Sequence, residues 1–538
     1  MTLSMEQSLS LAVGAQKSPR DRNAHNEWLT RPHAAKLFFG WTRHPMGLSA
    51  DKDRQKAVLS HYLRGRSMNK RIERLLAKCR EFLKEDQVLT DRESMSHFCY
   101  DATEMRFMPD LVLLPVSTEE VSRIMRLAFA EGISVTPQGG RTGLSGGALP
   151  VKGGAVLSLL RMNRITEIDV KNMQVTVEAG VVSANLQEAL KEYNLFFPPD
   201  PSSTVESTLG GNVAENAGYT RAVKYGVTRD YVLGLEAVLA DGTIINAGGK
   251  TIKNVTGYDV VALLTGSEGT LAIITGIILK VLPKPGFRRT CAFYLDDLVA
   301  AADLVVSVFA SGIIPAAIEF MDNKSIVCVA DYLAATNLLT HAAALVLVEV
   351  DGSGEAAVEE EVRRVFEAAR SAPGVIDARL AASDEEAERL WRMRRETLPA
   401  LKALGKAHLE ADVVVPRYHL PPLARLIQEA GRGKKVTIAT YGHAGDGNLH
   451  VTIQYRKGNF AESEEANELL GRIYEETLRM GGKLTGEHGV GLTVKNYMPR
   501  QMSPDEIDLM RRIKGAFDPR GILNPGKIFP DPGPEEKG

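Results

Sequence analysis

The apolar positions of the chain follow two different patterns that meet near residue 286. From Leu111 onwards, short apolar runs such as LVLLPV and one amphipathic helix precede glycine-dense stretches and alternating strands, which predicts a βαβ-like opening. After residue 286, apolar strands such as ALVLVEV alternate with amphipathic helices such as GEAAVEEEVRRVFEAAR. This second rhythm predicts an antiparallel sheet covered by helices, built on ferredoxin-like units.

These patterns predict an α+β protein with more than one domain, since 538 residues exceed the size at which a single core stops growing. The N-terminal segment has little periodicity before about Asp51, so it is either a docking arm or an irregular leader, with translation from Met68 as a further alternative. We favour the leader. We divide the chain into an irregular extension 1–67, a first domain 68–285, a second domain 286–500 and a C-terminal helix and coil 501–538.

Charge and cysteine content narrow the function classes. The formal net charge is −2, which gives no reason to expect nucleic acid as a partner. The four cysteines are scattered without a Cys-x-x-Cys pair, so we expect a reducing compartment such as the cytoplasm. The apolar stretch at 342–350 is far shorter than the ~20 residues of a membrane span, which leaves peripheral contact with the inner membrane as an alternative.

Two glycine-dense segments, 137–150 and 210–218, are candidates for binding an anionic cofactor. The first, PQGGRTGLSGGALP, has several residues without Cβ, so its amides could converge on a pyrophosphate. Taken alone, it could equally be an exposed loop. It lacks the ending of a Walker loop, and the chain has no complete G-x-G-x-x-G, so the nicotinamide fingerprint is absent.

His443 and His450 flank a glycine-rich turn in YGHAGDGNLHVTI. Seven positions apart, they would point to opposite faces of an extended strand, so residues 444–447 must fold the segment back before the imidazoles can converge. Two imidazoles and an acid from elsewhere would form a site for a borderline divalent metal. The alternative is a pair of loop histidines satisfied by hydrogen bonds.

The second glycine-dense segment, together with GSEGTLAIIT, TGEHGVG and NPGKIFP, makes a family resemblance specific. From about residue 68 to the end, the chain resembles the flavin-binding oxidase family of the glycolate oxidase catalytic subunit and D-lactate dehydrogenases, within the vanillyl-alcohol oxidase group. The resemblance implies a two-part FAD-binding domain and a substrate-binding cap domain with a metal site. It implies FAD contacts by Pro137, Gly139, Gly140, Arg141, Thr142, Gly143, Ser145, Gly146, Pro201, Ser207, Thr208, Gly210, Gly211, Asn212, Asn216, Ala217, Glu268, Gly269, Ile273 and Asn524.

Some members of that group attach FAD through a loop histidine. No histidine lies between residues 137 and 150, so we expect FAD to be bound non-covalently. Two positions depart from the family pattern: Tyr219 stands where relatives usually have glycine, and Ala272 replaces a frequent glycine. Both are expected to crowd the flavin pocket locally without removing a chemical group.

The resemblance also implies a divalent metal, Zn, Mn or Fe, bound by His443, His450 and Glu487, with His488 as the catalytic base. Asn448 is expected to assist near the metal.

A cationic clamp for the substrate carboxylate is expected on the helix that carries RLWRMRRETLPAL. Relatives place an arginine three residues after the tryptophan that matches Trp391, which selects Arg394. Arg392 and Arg395 are the rivals, and a solvated helix arginine is the alternative role.

We therefore expect a dehydrogenase that oxidises a small D-2-hydroxy acid, D-lactate or glycolate, with hydride transfer to flavin N5. A D-2-hydroxyglutarate dehydrogenase is disfavoured, because HLEA replaces the polar residues that those enzymes carry before the acid matching Asp412. A flavin-binding, non-catalytic subunit of a multi-subunit oxidase is disfavoured by the histidine loop. The candidate electron acceptors are a quinone, a cytochrome, an iron–sulfur partner protein and oxygen. A homodimer is kept as an alternative to a single chain.

Overall fold

The computed structural model describes residues 69–335 and 338–531. The extension predicted for residues 1–67 lies outside the described residues. Residues Met68–Gly538 belong to one compact unit, and the description below concerns that unit. Among the described residues, no helix is both long and apolar enough to cross a membrane.

The first part of the unit builds a four-stranded sheet and three helices: α1 Lys70–Cys79, β1 Val88–Leu89, α2 Arg92–Ser96, β2 Leu111–Leu113, α3 Thr118–Glu131, β3 Val135–Gln138 and β4 Ala155–Ser158. The strand order is β1-β2-β4-β3, and β2, β4 and β3 run parallel. The Ser117 side chain caps α3, and Gly132 ends it in the left-handed conformation.

The next part builds a five-stranded sheet, a two-stranded pair and four helices: β5 Ile165–Asp169, β6 Gln174–Glu178, α4 Ser183–Lys191, β7 Leu195–Phe196, α5 Leu209–Glu215, α6 Ala222–Tyr225, β8 Val232–Val238, β9 Ile244–Gly248, α7 Val260–Leu264, β10 Ile273–Lys280 and β11 Leu282–Pro283. The five strands are antiparallel, in the order β5-β6-β10-β8-β9, and β7 pairs with β11. Asp241 and Gly242 turn the β8–β9 hairpin.

After Gly286 the chain builds a seven-stranded sheet with seven helices: β12 Phe287–Leu295, α8 Leu298–Ala310, β13 Ala317–Asp322, α9 Asn323–Leu333, β14 Ala344–Gly352, α10 Glu355–Arg370, β15 Val375–Leu380, α11 Asp384–Arg395, α12 Thr397–Ala403, β16 Ala407–Val414, α13 Leu420–Ala430, β17 Thr437–Gly442, β18 Asn448–Tyr455 and α14 Phe460–Arg479. Every pairing is antiparallel, in the order β15-β12-β14-β13-β17-β18-β16.

Helices cover both faces of the seven-stranded sheet. Alternate residues of β14 enter two different cores: Val346 and Val348 pack with α8, α10, α13 and α14, whereas Leu345 and Leu347 pack with α9, α11 and α12. The predicted antiparallel sheet with covering helices is therefore confirmed.

The C-terminal segment forms α15 Met498–Gln501 and α16 Pro504–Phe517, followed by coil. A capping box between Ser503 and Glu506 starts α16. The coil then returns to the first sheet, where the amide of Val135 donates to Ile522 O and the amide of Asn524 donates to Val135 O, each at 2.8 Å. This return brings Asn524 beside the loop that follows β3.

Ion pairs join α6, which follows the second glycine-dense segment, to the seven-stranded sheet. Arg221 Nε lies 3.0 Å from Glu349 Oε1, and Lys224 Nζ lies 2.6 Å from Asp351 Oδ1. The Tyr225 hydroxyl donates to Asp351 at 2.8 Å. Glu349 and Asp351 are buried, so these contacts hold the two regions in a fixed relation.

Arg221→Met should lower the free energy of unfolding by about 3 kcal/mol, because it leaves the buried Glu349 carboxylate without its cation. Urea unfolding of FAD-loaded protein measures this. Arg395→Met is the matched control, since Arg395 and its partner Glu388 are exposed and the pair should contribute no more than about 1 kcal/mol. Equal losses in both variants would contradict the assignment.

Candidate active site

The histidine segment folds back as the sequence predicts. β17 ends at Gly442, His443 follows, and a turn over Ala444–Asp446 leads to Gly447 in the left-handed conformation with φ 79°. β18 then runs antiparallel to β17, with His450 opposite Tyr441. The imidazole rings of His443 and His450 lie 5.2 Å apart, nearly perpendicular.

Three imidazoles converge on one carboxylate oxygen. Oε1 of Glu487 lies 3.4 Å from Nε2 of His443, 3.3 Å from Nε2 of His450 and 3.5 Å from Nε2 of His488. The three residues predicted as metal ligands are thus brought together, and His488 joins them. Candidate ligand atoms of Asp412, His450, Glu487 and His488 lie within 4.8 Å of one another.

Asp412 holds the loop that carries Glu487 and His488. Its Oδ2 accepts hydrogen bonds from the Thr485 hydroxyl at 2.8 Å and from three successive amides, those of Gly486, Glu487 and His488, at 2.8–2.9 Å. Its Oδ1 accepts from the Asn448 amide at 2.8 Å. Hydrogen bonds to a charged acceptor contribute about 1.5–3 kcal/mol each. Asp412 therefore fixes the backbone from which the Glu487 and His488 side chains extend.

Glu319 of β13 connects His443 to Arg394. Its Oε1 lies 2.6 Å from Nδ1 of His443, and its Oε2 lies 2.6 Å from Nε of Arg394, all three residues being buried. The rivals Arg392 and Arg395 are exposed. Nη2 of Arg394 has no hydrogen-bond partner, so this buried guanidinium keeps a donor for a ligand.

Burial and nearby charged side chains shift the pKa values of the three histidines and of Glu487. Burial disfavours a charged imidazole, yet Glu319 and Glu487 outweigh it and raise the pKa of His443 to about 10. Asp412 and Glu487 likewise outweigh burial and raise the pKa of His488 to about 9. Burial lowers the pKa of His450. For Glu487, burial is outweighed by the histidines, chiefly His443, and its pKa is lowered well below the usual range.

The two glycine-dense segments pack directly against each other. A Cβ on Gly139 would overlap the Thr208 hydroxyl, and one on Gly140 would overlap the backbone oxygen of Glu206. Gly143, by contrast, has open space around it. Only residues without side chains permit this approach, which explains the glycines of the predicted cofactor loop.

Four predicted cofactor residues adopt the left-handed backbone conformation that non-glycine residues rarely adopt: Arg141, Asn216, Glu268 and Asn524. Such conformations persist where the surrounding structure imposes them, and they concentrate at binding sites. The Asn524 side-chain amide donates to Gly147 O and Glu268 O, each at 2.8 Å, and so joins the C-terminal coil to two cofactor segments.

Several predicted cofactor side chains have protein partners of their own. Asn212 donates to the Ser183 hydroxyl at 2.8 Å, and the Ser207 hydroxyl lies 3.2 Å from the same oxygen. Asn216 accepts from the amide of Arg229 at 2.8 Å. Ile273 lies in the core at the start of β10. These residues therefore stabilise the conformation of the two cofactor segments through hydrogen bonds and, for Ile273, through core packing.

Two family models match the chain. The model "FAD binding domain" covers residues 109–248, and "FAD linked oxidases, C-terminal domain" covers residues 284–528. The glycolate oxidase subunit GlcD of Bacillus subtilis is 42% identical over 80% of this chain and 92% of its own length. A D-lactate dehydrogenase of Anaerostipes hadrus is 34% identical over 82% of this chain and 94% of its own.

The chain belongs to the FAD-linked oxidase family. The 4-ethylphenol oxidase structure from Gulosibacter chungangensis shares the fold, with a TM-score of 0.68 and 21% identity over 87% of this chain and 99% of that one. The predicted α+β architecture with an FAD-binding domain of the vanillyl-alcohol oxidase type is confirmed.

The residues of this FAD-linked oxidase fit FAD. The Arg141 guanidinium is largely buried, and its Nε and Nη1 have no hydrogen-bond partner, as expected for donors that meet a pyrophosphate. Ser145, in the same loop, has a buried hydroxyl that also lacks a partner. Burial lowers the pKa of Arg141, and an anion beside it would offset that cost.

The donor set around Glu487 also fits a divalent metal. Imidazole nitrogens and a carboxylate oxygen suit borderline ions such as Zn, Mn or Fe. Two protonated histidines and a divalent cation are alternative ways to balance the same buried carboxylates. A cation there would oppose the shift that raises the pKa of His488.

Sequence reasoning missed the structural roles of Asp412, Glu319 and Lys527. An acid inside an apolar strand, as in AIEFM and LEADVVV, is the signal that could have found the first two, since a buried carboxylate needs partners. Lys527 is buried and donates to Leu149 O at 2.6 Å and Asn524 Oδ1 at 2.9 Å. Burial lowers its pKa to about 8.

The two departures from the family pattern are accommodated within the fold. Tyr219 is buried beside the second glycine-dense segment, and its hydroxyl has no hydrogen-bond partner. Burial raises the pKa of that phenol. Ala272 is buried immediately before β10, in the core shared by the first two sheets.

Asp412→Asn should speed amide hydrogen exchange at Gly486, Glu487 and His488 by roughly 10- to 100-fold, because a neutral amide cannot accept their hydrogen bonds as the carboxylate does. Exchange followed by mass spectrometry measures this. Asp377→Asn, at a partly exposed ion pair, is the control and should leave these amides unchanged. Unchanged exchange in Asp412→Asn would show that the carboxylate does not hold the loop.

Proposed function

We propose that this FAD-linked oxidase oxidises a small D-2-hydroxy acid, D-lactate or glycolate, to the 2-oxo acid. The observation that carries the proposal is the convergence of three imidazoles on Glu487 Oε1. This group adjoins the flavin side of the molecule, since a Cβ on Gly218 would come within 2.6 Å of Glu487 Oε2. The relatives named glycolate oxidase and D-lactate dehydrogenase support the same substrate class.

The reaction removes a proton from the hydroxyl group and a hydride from the adjacent carbon. The segments around Arg141 and Thr208 would hold FAD non-covalently, and the flavin would supply the hydride acceptor at N5. His443, His450 and Glu487 would hold a divalent ion, whose positive charge would lower the pKa of the substrate hydroxyl. The residues proposed to hold FAD and the residues proposed to hold the metal are different residues of this chain.

The remaining roles belong to side chains of the second domain. His488 takes the hydroxyl proton, since its Nε2 lies 3.5 Å from the Glu487 oxygen on which the other two imidazoles converge, and a cation bound there would favour the neutral imidazole that a base requires. Arg394 binds the substrate carboxylate through its unpartnered Nη2, while Nε stays with Glu319. Glu319 and Asp412 act as positioning residues, because each orients a histidine or its loop.

The chain should pass its electrons to a partner rather than to a nicotinamide. The relatives from Bacillus subtilis and Escherichia coli are named as subunits of glycolate oxidase. We therefore propose a component of a multi-subunit oxidase whose acceptor is a quinone, a cytochrome or an iron–sulfur protein. A non-catalytic role is the second candidate, and the assembled histidine cluster argues against it.

An anaerobic reduction panel tests the function. Purified protein should be yellow, and glycolate or D-lactate should bleach it whereas L-lactate should not. Metal analysis of the same sample should give one divalent ion per chain. Persistent yellow colour with every 2-hydroxy acid would favour the non-catalytic candidate.

His443→Ala should lose bound metal and flavin reduction together, because it removes an imidazole from the cluster. Metal analysis and anaerobic stopped-flow absorbance measure the two effects, and FAD content should stay at one per chain. His341→Ala, at an exposed position, is the matched control and should change neither quantity. Full metal content in His443→Ala would show that His443 is not a metal ligand.

His488→Ala should slow flavin reduction by about 10²- to 10⁴-fold while FAD and metal stay bound, since a general base contributes on that scale. Stopped-flow absorbance gives the rate, and metal analysis separates a base from a ligand. Loss of the metal in this variant would make His488 a ligand, and an unchanged rate would end its catalytic role.

A further inference from the structure

A second acidic side chain lies beside Glu268, where the cofactor segments meet the loop that bears His488. Glu215 is the last residue of α5, and one of its carboxyl oxygens, Oε2, is buried. A Cβ on Gly147, in the first glycine-dense segment, would come within 2.8 Å of Glu215 Oε1, and a Cβ on Gly489 would come within 2.5 Å of Oε2. The Glu215 carboxyl group therefore lies between these two backbone segments.

Glu268 faces the same point of the loop. The Cβ on Gly489 would also lie 3.0 Å from Glu268 Oε1. With the two carboxyls no more than about 6 Å apart and an effective dielectric constant of about 20, repulsion disfavours a second negative charge at least about 100-fold. Glu268 is the member that carries the charge, since its two oxygens accept the amides of Val490 and Gly491 at 2.7 Å.

Glu215 has no comparable donors. Its Oε2 makes no hydrogen bond. The buried ammonium group of Lys527 uses its three donors on oxygen atoms of Gly147, Leu149 and Asn524, at 2.6–3.2 Å. A buried oxygen without a donor is unfavourable in a carboxylate, whereas a protonated carboxyl group supplies a donor of its own.

The charged groups around Glu215 favour the same assignment. Burial and then the Glu268 carboxylate raise the pKa of Glu215 well above its ordinary value; Asp101 adds to this rise, and His488 and Lys527 oppose it. Burial raises the pKa of Glu268 as well, but the two amides that it accepts oppose that rise. The proton of the pair therefore resides on Glu215.

We infer that Glu215 is a positioning residue, held as a neutral carboxylic acid so that the loop bearing His488 can pack against the first glycine-dense segment. Glu215 and Glu268 then share one proton and one negative charge. Ionisation of Glu215 would place two like charges beside Gly489 and displace the loop. The consequence for His488 as a base rests on the proposed function, whereas the consequence for the loop does not.

Amide hydrogen exchange on FAD-loaded, metal-loaded protein tests the inference. After correction for intrinsic exchange, protection of the Val490 and Gly491 amides should fall at least about tenfold as the pH rises through the raised pKa of Glu215, because the contact needs the protonated form. In Glu215→Gln, which keeps the shape and stays neutral, protection should stay within about threefold over the same range. Glu192→Gln, at an exposed position, is the matched control and should behave like the wild type.

Two results would overturn the inference. One is the same pH dependence in Glu215→Gln as in the wild type. The other is lower protection in Glu215→Gln at the acidic end of the range, which would give the structural role to the charged carboxylate. Glu215→Ala should lower protection at every pH, because it removes the side chain between Gly147 and Gly489, and unchanged protection there would contradict the contact.

Flavin reduction separates this inference from the proposed function. The reduction rate of Glu215→Gln, divided by that of the wild type, should rise at least about tenfold over the same pH range, because only the wild type loses the position of His488. Equal pH profiles would contradict the positioning role. If no hydroxy acid bleaches the wild-type flavin, the proposed function fails, and amide exchange still decides whether Glu215 holds the loop.

Discussion

The geometry of the site depends on two buried carboxylates that accept hydrogen bonds from backbone amides of one loop, the loop that carries Glu487 and His488. Asp412, on the seven-stranded sheet, accepts the amides of residues 486–488, and Glu268, in the flavin-side region, accepts the amides of Val490 and Gly491 at 2.7 Å. Glu487 and His488 lie between these two anchors. Because charged hydrogen bonds are strong and directional, the loop that bears them is fixed relative to both halves of the molecule.

The buried carboxylates of the site place negative charge next to its three histidines. Glu319, Asp412 and Glu487 are close to three histidines and Arg394, and the cluster is stable only if cations balance it. Protons on His443 and His488 provide that balance, and under the proposed function a divalent ion would provide it in their place.

Local features of this site were predictable from the sequence, and long-range ones were not. The fold-back between His443 and His450 follows from glycines in the same segment, and the caps of α3 follow from Ser117 and Gly132. Asp412 meets amides more than seventy residues away, which no periodicity encodes. Glu268 was predicted as a flavin residue from its motif, whereas the described partners of its carboxylate lie in the histidine-bearing loop.

Metal removal and restoration test the central claim most directly. FAD-loaded protein is stripped with a chelator, checked for retained FAD, and mixed anaerobically with D-lactate or glycolate before and after addition of one equivalent of Zn²⁺, Mn²⁺ or Fe²⁺. The account predicts that the stripped protein stays yellow and that one of these ions restores bleaching. Equal bleaching rates with and without metal would contradict it.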